Sequence, residues 1–354
     1  MRRTKHPFIW VVILSAIAIA LGIALALAID WFPEAASTAA GPIDTLYDVL
    51  LIVSVPIFVL VMAVVIYSVY RFRARPGDKG DGAPIHGNTL LEVVWVTIPT
   101  LIVAGLAVYG YMVLQDIERV SPGAMEVDVT GQQYTWSFNY PDGPGGQPVK
   151  SGELYLPVGK QVNFEIKALD VLHSFWVPEF RMKSDAVPGI TTHYPITPTR
   201  EGDFQVVCAE LCGIGHSTMR QPVHVVSQAD FDTWLEQQSQ GGAAAGADTG
   251  AEQTDAGASV FDGNGCGGCH EFKTAGSTGS VGPSLDDLAS AADQAGKDPE
   301  TFVEESITDP DAYVAKGYPK GTMPANFGDT LTPEEITALT TYLLGSGTEK
   351  GKAQ

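Results

Sequence analysis

The chain has 354 residues, of which 45% are hydrophobic and only 18% charged, below the ~25% charged residues of an average globular protein. At about 100–200 residues per domain this length asks for two or three domains, and the shortage of charge asks for membrane segments. A net charge of −20, from 41 acidic against 21 basic residues, excludes a generic nucleic-acid binder, which would carry a basic face. Residues 227–354 hold 21 Asp and Glu against 6 Lys and Arg, leaving 20 against 15 for residues 1–226. The C-terminal third is therefore a separate acidic unit suited to water. Its charge reads equally as a docking face for a basic partner and as a solvated surface.

Three apolar stretches lead the chain. Phe8 to Ile29 carries no charge over 22 residues, enough for the ~20 that span a bilayer. Residues 1–30 read as a retained membrane helix or, through the small residues of Ala24-Leu25-Ala26-Leu27-Ala28, as a cleaved signal segment. Tyr47 to Tyr70 and Val93 to Leu114 follow, and residues 43–116 form a transmembrane hairpin. Basic residues lie before the first span (Arg2, Arg3, Lys5) and after the second (Arg71, Arg73, Arg75, Lys79), whereas Asp30 to Leu46 has none. Positive loops stay in the cytoplasm, so everything beyond about residue 116 is expected outside it.

Residues 124–226 alternate in the manner of strands, as in Met125-Glu126-Val127-Asp128-Val129 and Gln161-Val162-Asn163-Phe164-Glu165-Ile166. Turns rich in Pro and Gly separate them, which predicts an antiparallel sandwich or barrel over 117–236. Residues 237–258 are mostly Gly, Ala, Gln, Thr and Asp with no large apolar residue, the composition of a flexible linker. Residues 259–354 read as a domain of short helices. The clearest starts at Thr332-Pro333-Glu334-Glu335, a capping box with Pro at the first helical position.

The loop Cys208-Ala209-Glu210-Leu211-Cys212-Gly213-Ile214-Gly215-His216-Ser217-Thr218-Met219 places two thiols, an imidazole and a thioether within twelve residues. Soft sulfur ligands select copper or an iron–sulfur cluster, and imidazole suits copper and zinc. Gly213 and Gly215 argue against a helix, so this is a ligand loop between strands. A mononuclear blue-copper loop needs one Cys; a second thiolate can bridge two copper ions. A further His is then needed from His173, His193 or His224. His173 is favoured, and the other two read as surface or strand histidines.

The pattern Cys-x3-Cys-x3-His-x2-Met, preceded by Asp170-Val171-Leu172-His173-Ser174, resembles subunit II of haem–copper (cytochrome c) oxidases. The likeness covers about residues 43–226 and includes Gly131-Gln132-Gln133-Tyr134-Thr135-Trp136-Ser137 and Lys183-Ser184-Asp185-Ala186-Val187-Pro188-Gly189. It implies a cupredoxin-like Greek-key sandwich holding a dinuclear copper A centre. Cys208 and Cys212 would bridge, His173 and His216 would each bind one copper, and Met219 and the Glu210 carbonyl would be weak axial ligands. The Glu210 side chain would serve a magnesium shared with subunit I. Many relatives carry Trp at the position of Tyr134, where electrons arrive from a soluble cytochrome. The exchange puts that route in doubt, and an attached donor would explain it; Tyr134 and Trp136 are the expected electron path. Glu92, at the start of the third span, matches a glutamate at the mouth of a proton channel; a carboxylate so placed is a functional candidate.

Gly265-Cys266-Gly267-Gly268-Cys269-His270 contains C-x-x-C-H. Its thiols can form thioethers to haem vinyls, with its His becoming an axial ligand. Zinc would want a second ligand pair, and this region has no further Cys or His. Met323 is the sole Met after residue 219 and is the expected sixth ligand; His/Met ligation suits electron transfer. The arrangement resembles a class I cytochrome c.

Taken whole, the chain resembles subunit II of a caa3-type cytochrome c oxidase: transmembrane helices, an all-β copper domain and an all-α cytochrome c domain. The resemblance implies electrons passing from haem c to copper A and on to subunit I (haem A, copper B), where oxygen becomes water with proton translocation. It implies a prokaryotic plasma membrane with both redox domains extracytoplasmic, other membrane subunits, and a donor such as a bc-type complex or soluble cytochrome. The chain alone has no His in its spans for an oxygen site. Copper-A-containing nitric- or nitrous-oxide reductases are the alternative, which the Glu92 span and the hairpin disfavour. A quinol-fed relative would lack the copper ligands kept here.

Overall fold

The computed structural model of the chain describes residues 7–73, 76–77, 80, 84–243, 250–325 and 327–345. Arg2, Arg3, Lys5, Arg75 and Lys79, and residues 244–249 of the expected linker, lie outside the described residues. The chain divides into two units, one running to Pro33 together with Gly41–Glu118, the other comprising Glu34–Ala40 and Arg119 onward.

The first unit is built from α1 (Pro7–Ala28), α2 (Ala40–Phe72) and α3 (Thr89–Ile117). All three are long and apolar enough to cross a membrane. α2 starts earlier than hydropathy alone suggests, because Pro42 lies in its first turn, where a missing N–H costs nothing. Pro56 and Pro99 sit inside α2 and α3, as membrane helices tolerate. Gly22 lets α1 approach α2, since an added Cβ would stand 2.8 Å from Val55 Cγ1. Asn88 caps α3: its Oδ1 accepts from Leu91 N at 3.1 Å, while its own N donates to Glu92 Oε1 at 3.2 Å.

The second unit opens with ten strands: β1 (Met125–Gln132), β2 (Thr135–Tyr140), β3 (Val149–Ser151), β4 (Leu154–Pro157), β5 (Val162–Ala168), β6 (His173–Trp176), β7 (Lys183–Ala186), β8 (Thr192–Ile196), β9 (Gly202–Cys208) and β10 (Arg220–Val226). They form two five-stranded sheets, ordered β3-β2-β1-β5-β8 and β4-β10-β9-β6-β7. The expectation of an antiparallel sandwich is corrected in one respect: β1 pairs with β5, and β4 with β10, in parallel. Crossovers between the sheets, invisible to alternation, produce those pairs. The core between the sheets is aromatic. Phe175 is fully buried, with ring centroids 5.4 Å from Trp136 and 5.3 Å from Phe164.

Beyond β10, α4 (Gln228–Ala243) packs on the sandwich through buried Phe231 and through Trp234, stacked on Tyr155 at 4.2 Å. α5 (Gly250–Gly263) follows. The expected linker 237–258 is thus helical wherever it is described. Ala is a strong helix former, so a Gly/Ala-rich stretch next to an anchored helix can extend it. Then come α6 (Cys266–Cys269), β11 (His270–Phe272), β12 (Ser277–Ser280), α7 (Leu288–Ala295), α8 (Pro299–Thr308), α9 (Phe327–Thr330) and α10 (Pro333–Gly345). The β11–β12 ribbon qualifies the all-α expectation for this otherwise helical domain. Its core gathers Phe261, Phe272, Phe302, Leu339 and Tyr342. The capping box forms as expected: Glu335 N donates to Thr332 Oγ1 at 3.2 Å and Thr332 N to Glu335 Oε2 at 2.8 Å.

Truncating Phe175 should empty the centre of the sandwich. Phe175→Ala is expected to cost about 3–5 kcal/mol, read as a lower denaturation midpoint of the copper-domain transition.

Candidate metal and haem centres

β6 and β9 are paired with Phe175 opposite Cys208. His173 lies two residues from Phe175 on the same face, so the register brings an imidazole from β6 to the thiols of the β9–β10 loop. Cys208 and Cys212 are buried, with their sulfurs 3.8 Å apart, far beyond the ~2.05 Å of a disulfide. Each thiol has its own imidazole: His173 Nδ1 is 3.9 Å from Cys208 Sγ, and His216 Nδ1 is 3.7 Å from Cys212 Sγ. Met219 is fully buried, its Sδ 3.8 Å from Cys212 Sγ. The Glu210 carbonyl oxygen lies 3.1 Å from Cys208 Sγ, while the rest of Glu210 is exposed. Ligand atoms of His173, Cys208 and Cys212 all fall within 4.8 Å of one another.

Electrostatics suit a cation at this spot. Burial raises the Cys208 pKa, but hydrogen bonds from His173 and from nearby groups outweigh it and bring the thiol down. Burial, and then the negative Cys208 beside it, push Cys212 up. Two thiolates so close therefore demand a positive partner. The donor set, two thiols flanked by two imidazole nitrogens and capped by a thioether and a carbonyl, fits a pair of soft ions.

Asp170 holds the His173 imidazole in place, a role left unassigned from sequence. Its Oδ1 accepts from His173 Nε2 at 2.8 Å, which leaves Nδ1 free to face the thiol. Asp170 is itself fixed by Gln133 N at 2.7 Å and Val171 N at 2.6 Å. Gln133 Nε2 also donates to the Cys212 carbonyl at 2.5 Å. The available signal was the Asp-x-x-His spacing. Trp136 is fully buried beneath the site, its ring 5.9 Å from that of His173. Tyr134 is also buried; its hydroxyl accepts from Ile214 N at 3.1 Å. Its ring lies so close under the ligand loop that a Cβ on Gly215 would come within 2.5 Å of it.

The other candidates divide. His193 and His224 lie on β8 and β10, outside the thiol cluster. His224 instead pairs with Asp203 at 2.7 Å and Glu153 at 3.3 Å. Glu92 belongs to the membrane unit, where its carboxylate accepts from the Asn88 main chain.

In the helical domain, Cys266, Cys269, His270 and Met323 line one largely apolar cavity, together with side chains such as Phe302 and Leu339. Both cysteines are free thiols. His270 Nδ1 donates to the Pro283 carbonyl at 2.7 Å, leaving Nε2 for a metal, and burial lowers its pKa, favouring the neutral imidazole. A tight turn at Gly282 packs under the ring; a Cβ there would come within 2.5 Å of His270 Cε1. Two thiols, a neutral imidazole and a thioether around an apolar cavity fit a covalently attached haem. The Tyr134 main-chain N–H also reaches Cys269.

Asp170→Asn should weaken copper affinity about 10–100-fold, as loss of such an orienting partner does. Cys208→Ser should abolish the dinuclear visible spectrum, and retention of that spectrum would count against bridging. His224 offers a pH test. Glu153 first, and then Asp203, raise its pKa. Its contribution to stability is therefore full below about pH 6.5 and lost as pH rises through the raised value. The thermal midpoint should show this component in the parent and not in His224→Gln.

Three family profiles fit the chain: cytochrome c oxidase subunit II transmembrane domain over residues 24–113, its periplasmic domain over 149–227, and cytochrome c over 254–346. Cytochrome c oxidase subunit 2 of Thermostichus vulcanus is 37% identical across 58% of this chain and 77% of its own length. That of Alkalihalophilus pseudofirmus is 34% identical across 83% of this chain and 84% of its own. Among solved structures, the periplasmic domain of cytochrome oxidase subunit II from Bradyrhizobium japonicum is 30% identical, with a TM-score of 0.32 over 34% of this chain and 98% of that one. With three membrane-length helices, a copper-type ligand loop and a C-terminal cytochrome c domain, the chain belongs to the cytochrome c oxidase subunit II family, in the fused arrangement of caa3-type oxidases.

Proposed function

We propose that the chain receives electrons for a caa3-type oxidase, holding dinuclear copper A at His173, Cys208, Cys212, His216, Met219 and the Glu210 carbonyl, and haem c at Cys266 and Cys269 with His270 and Met323 as axial ligands. Bound there, the two groups are one-electron carriers in series, from haem to copper to the haem A and copper B of subunit I. Oxygen reduction to water and proton translocation belong to that partner.

The observation that carries this reading is Tyr134. Its main-chain N–H faces Cys269, its ring lies under the Gly213–Gly215 segment and its hydroxyl accepts from Ile214 N. One residue thus touches both the haem-attachment helix and the copper loop. An aromatic side chain here keeps water out of the gap and provides a short covalent and hydrogen-bonded route between the two groups. Trp136, buried against His173, extends the aromatic contact toward the copper ligands. Asp170 and Gln133 restrain the ligand loop, so little rearrangement accompanies a change of charge.

Three further assignments rest on the family resemblance and on charge. The exposed Glu210 carboxylate is offered to a magnesium shared with subunit I. Glu92 stands at the cytoplasmic mouth of a proton path. Both redox domains face the extracytoplasmic side of a prokaryotic plasma membrane, as the basic residues flanking the spans favour, within reach of a bc-type complex or a soluble cytochrome. Metal analysis of the purified chain is expected to give two copper ions per haem iron; equal amounts would mean a mononuclear copper site and overturn the reading.

A further inference from the structure

The contact between the cytochrome and copper domains is tighter than two tethered bodies require, and glycines make it so. On the copper side the seam consists of Gln133–Thr135, Ser151–Glu153 and Gln221; on the cytochrome side, of Asp262–Cys269. A Cβ added to Gly152 would overlap the Asp262 carbonyl oxygen and stand 3.6 Å from Gly265 Cα. A Cβ added to Gly265 would overlap Thr135 Oγ1. One on Gly268 would stand 3.1 Å from Gln221 Nε2. Gly265 also needs its positive φ of 64°. Gly152 has no such need, so its bare Cα answers to the facing carbonyl and not to its own turn.

The copper-side surface is held rigid from within. Gln221 Nε2 donates to Thr135 Oγ1 at 3.0 Å, and Gln221 Oε1 accepts from Trp136 N at 3.0 Å. Tyr134, Thr135 and Gln221 are only 5%, 5% and 4% exposed. Gln133, Tyr134 and Thr135 also form one wall of the cavity that Cys266, Cys269 and His270 line. The copper domain therefore covers the Cys266 and Cys269 side of that cavity.

We infer that this glycine seam is an autoinhibitory contact toward external protein donors: while it is closed, the copper domain occupies the haem edge that a donor protein would use. This rests on the function proposed above. The cytochrome domain then takes its electron with the seam open and passes it on with the seam closed. In the open state the donor is oxidised by one electron and haem iron goes from ferric to ferrous. In the closed state that electron moves to the copper pair, and no bond is made or broken. Closure thereby stops a bulky donor from blocking the path to copper, and it makes the donor's apparent rate depend on the fraction of open chain.

The test uses the intact oxidase complex carrying Gly152→Val or, as the smaller wedge, Gly152→Ala. Hydrogen exchange of the peptide spanning residues 133–135 reports the seam without reference to turnover. Anaerobic stopped-flow reduction of haem c by a soluble cytochrome c reports donor access. Reduction by dithionite is the small-molecule control, and haem-to-copper equilibration after photoreduction reports transfer across the seam. The inference expects faster exchange, donor reduction raised up to about tenfold if about a tenth of the parent is open, internal transfer slowed by a similar factor, and dithionite reduction unchanged. Faster exchange with unchanged donor reduction would overturn it, because the donor would then be using another side of the cavity. Unchanged exchange in both variants would overturn it too, because Gly152 would not be holding the seam. Loss of the copper or haem spectrum in the parent complex would instead strike the underlying function, and the two failures are therefore distinct.

Discussion

Two thiols in one dry pocket are the constraint on which the rest of the copper domain depends. Neither can carry charge comfortably without a cation between them, and at 3.8 Å the two sulfurs are not joined in a disulfide. The fold meets that demand by supplying an imidazole to each. One comes from the same loop, His216, and one from a different strand, His173. The second requires β6 and β9 to be paired in a fixed register, and a one-residue slip would turn His173 to the opposite face. The aromatic core under the site, with Phe175 between Trp136, Phe164 and Tyr194, enforces the register because Phe175 and His173 share a face.

Rigidity is then extended outward by hydrogen bonds. Asp170 orients His173 and is itself held by the Gln133 main chain, while the Gln133 side chain donates to the Cys212 carbonyl. The same short turn continues into Tyr134 and Thr135, which meet the cytochrome domain. One turn between β1 and β2 thus restrains His173 and the Cys212 loop on one side and meets the Cys266–Cys269 helix on the other. Any shift of this turn would be felt at both centres. The seam adds a second layer of control, because closing it joins the two carriers and covers the side by which one of them would be loaded.

Much of the chemistry was legible in the order of residues. The two candidate sites are local: Cys208 to Met219 and Cys266 to His270 each place most of their candidate donors within a few residues, so spacing alone announces them. The capping box at Thr332 and the three apolar spans are local in the same sense. The residues that tune the centres were harder to see. Asp170 is three residues before His173, a spacing that allows the contact, yet the same spacing is found for a solvated carboxylate. Gln133 was invisible, since a Gln in a turn has no characteristic partner. The parallel strand pairs were missed because alternation records which face a residue takes, not which strand lies beside it. Composition alone read 237–258 as a linker; adjoining Phe231 and Trp234, anchored on the sandwich, instead carry a helix into it.

By itself the sequence determined the order of the parts and pointed to two separate groups of soft donors, because these follow from residue chemistry and short spacing. The sequence favoured His173 over His193 and His224, but only the tertiary structure supplied the means by which His173 reaches the thiols, the pairing of β6 with β9. Only the tertiary structure showed that Gly152 and Gly265 serve the contact between the domains. A missing side chain acquires meaning only when something stands where it would have been, and here that is a carbonyl or hydroxyl oxygen from more than a hundred residues away along the chain.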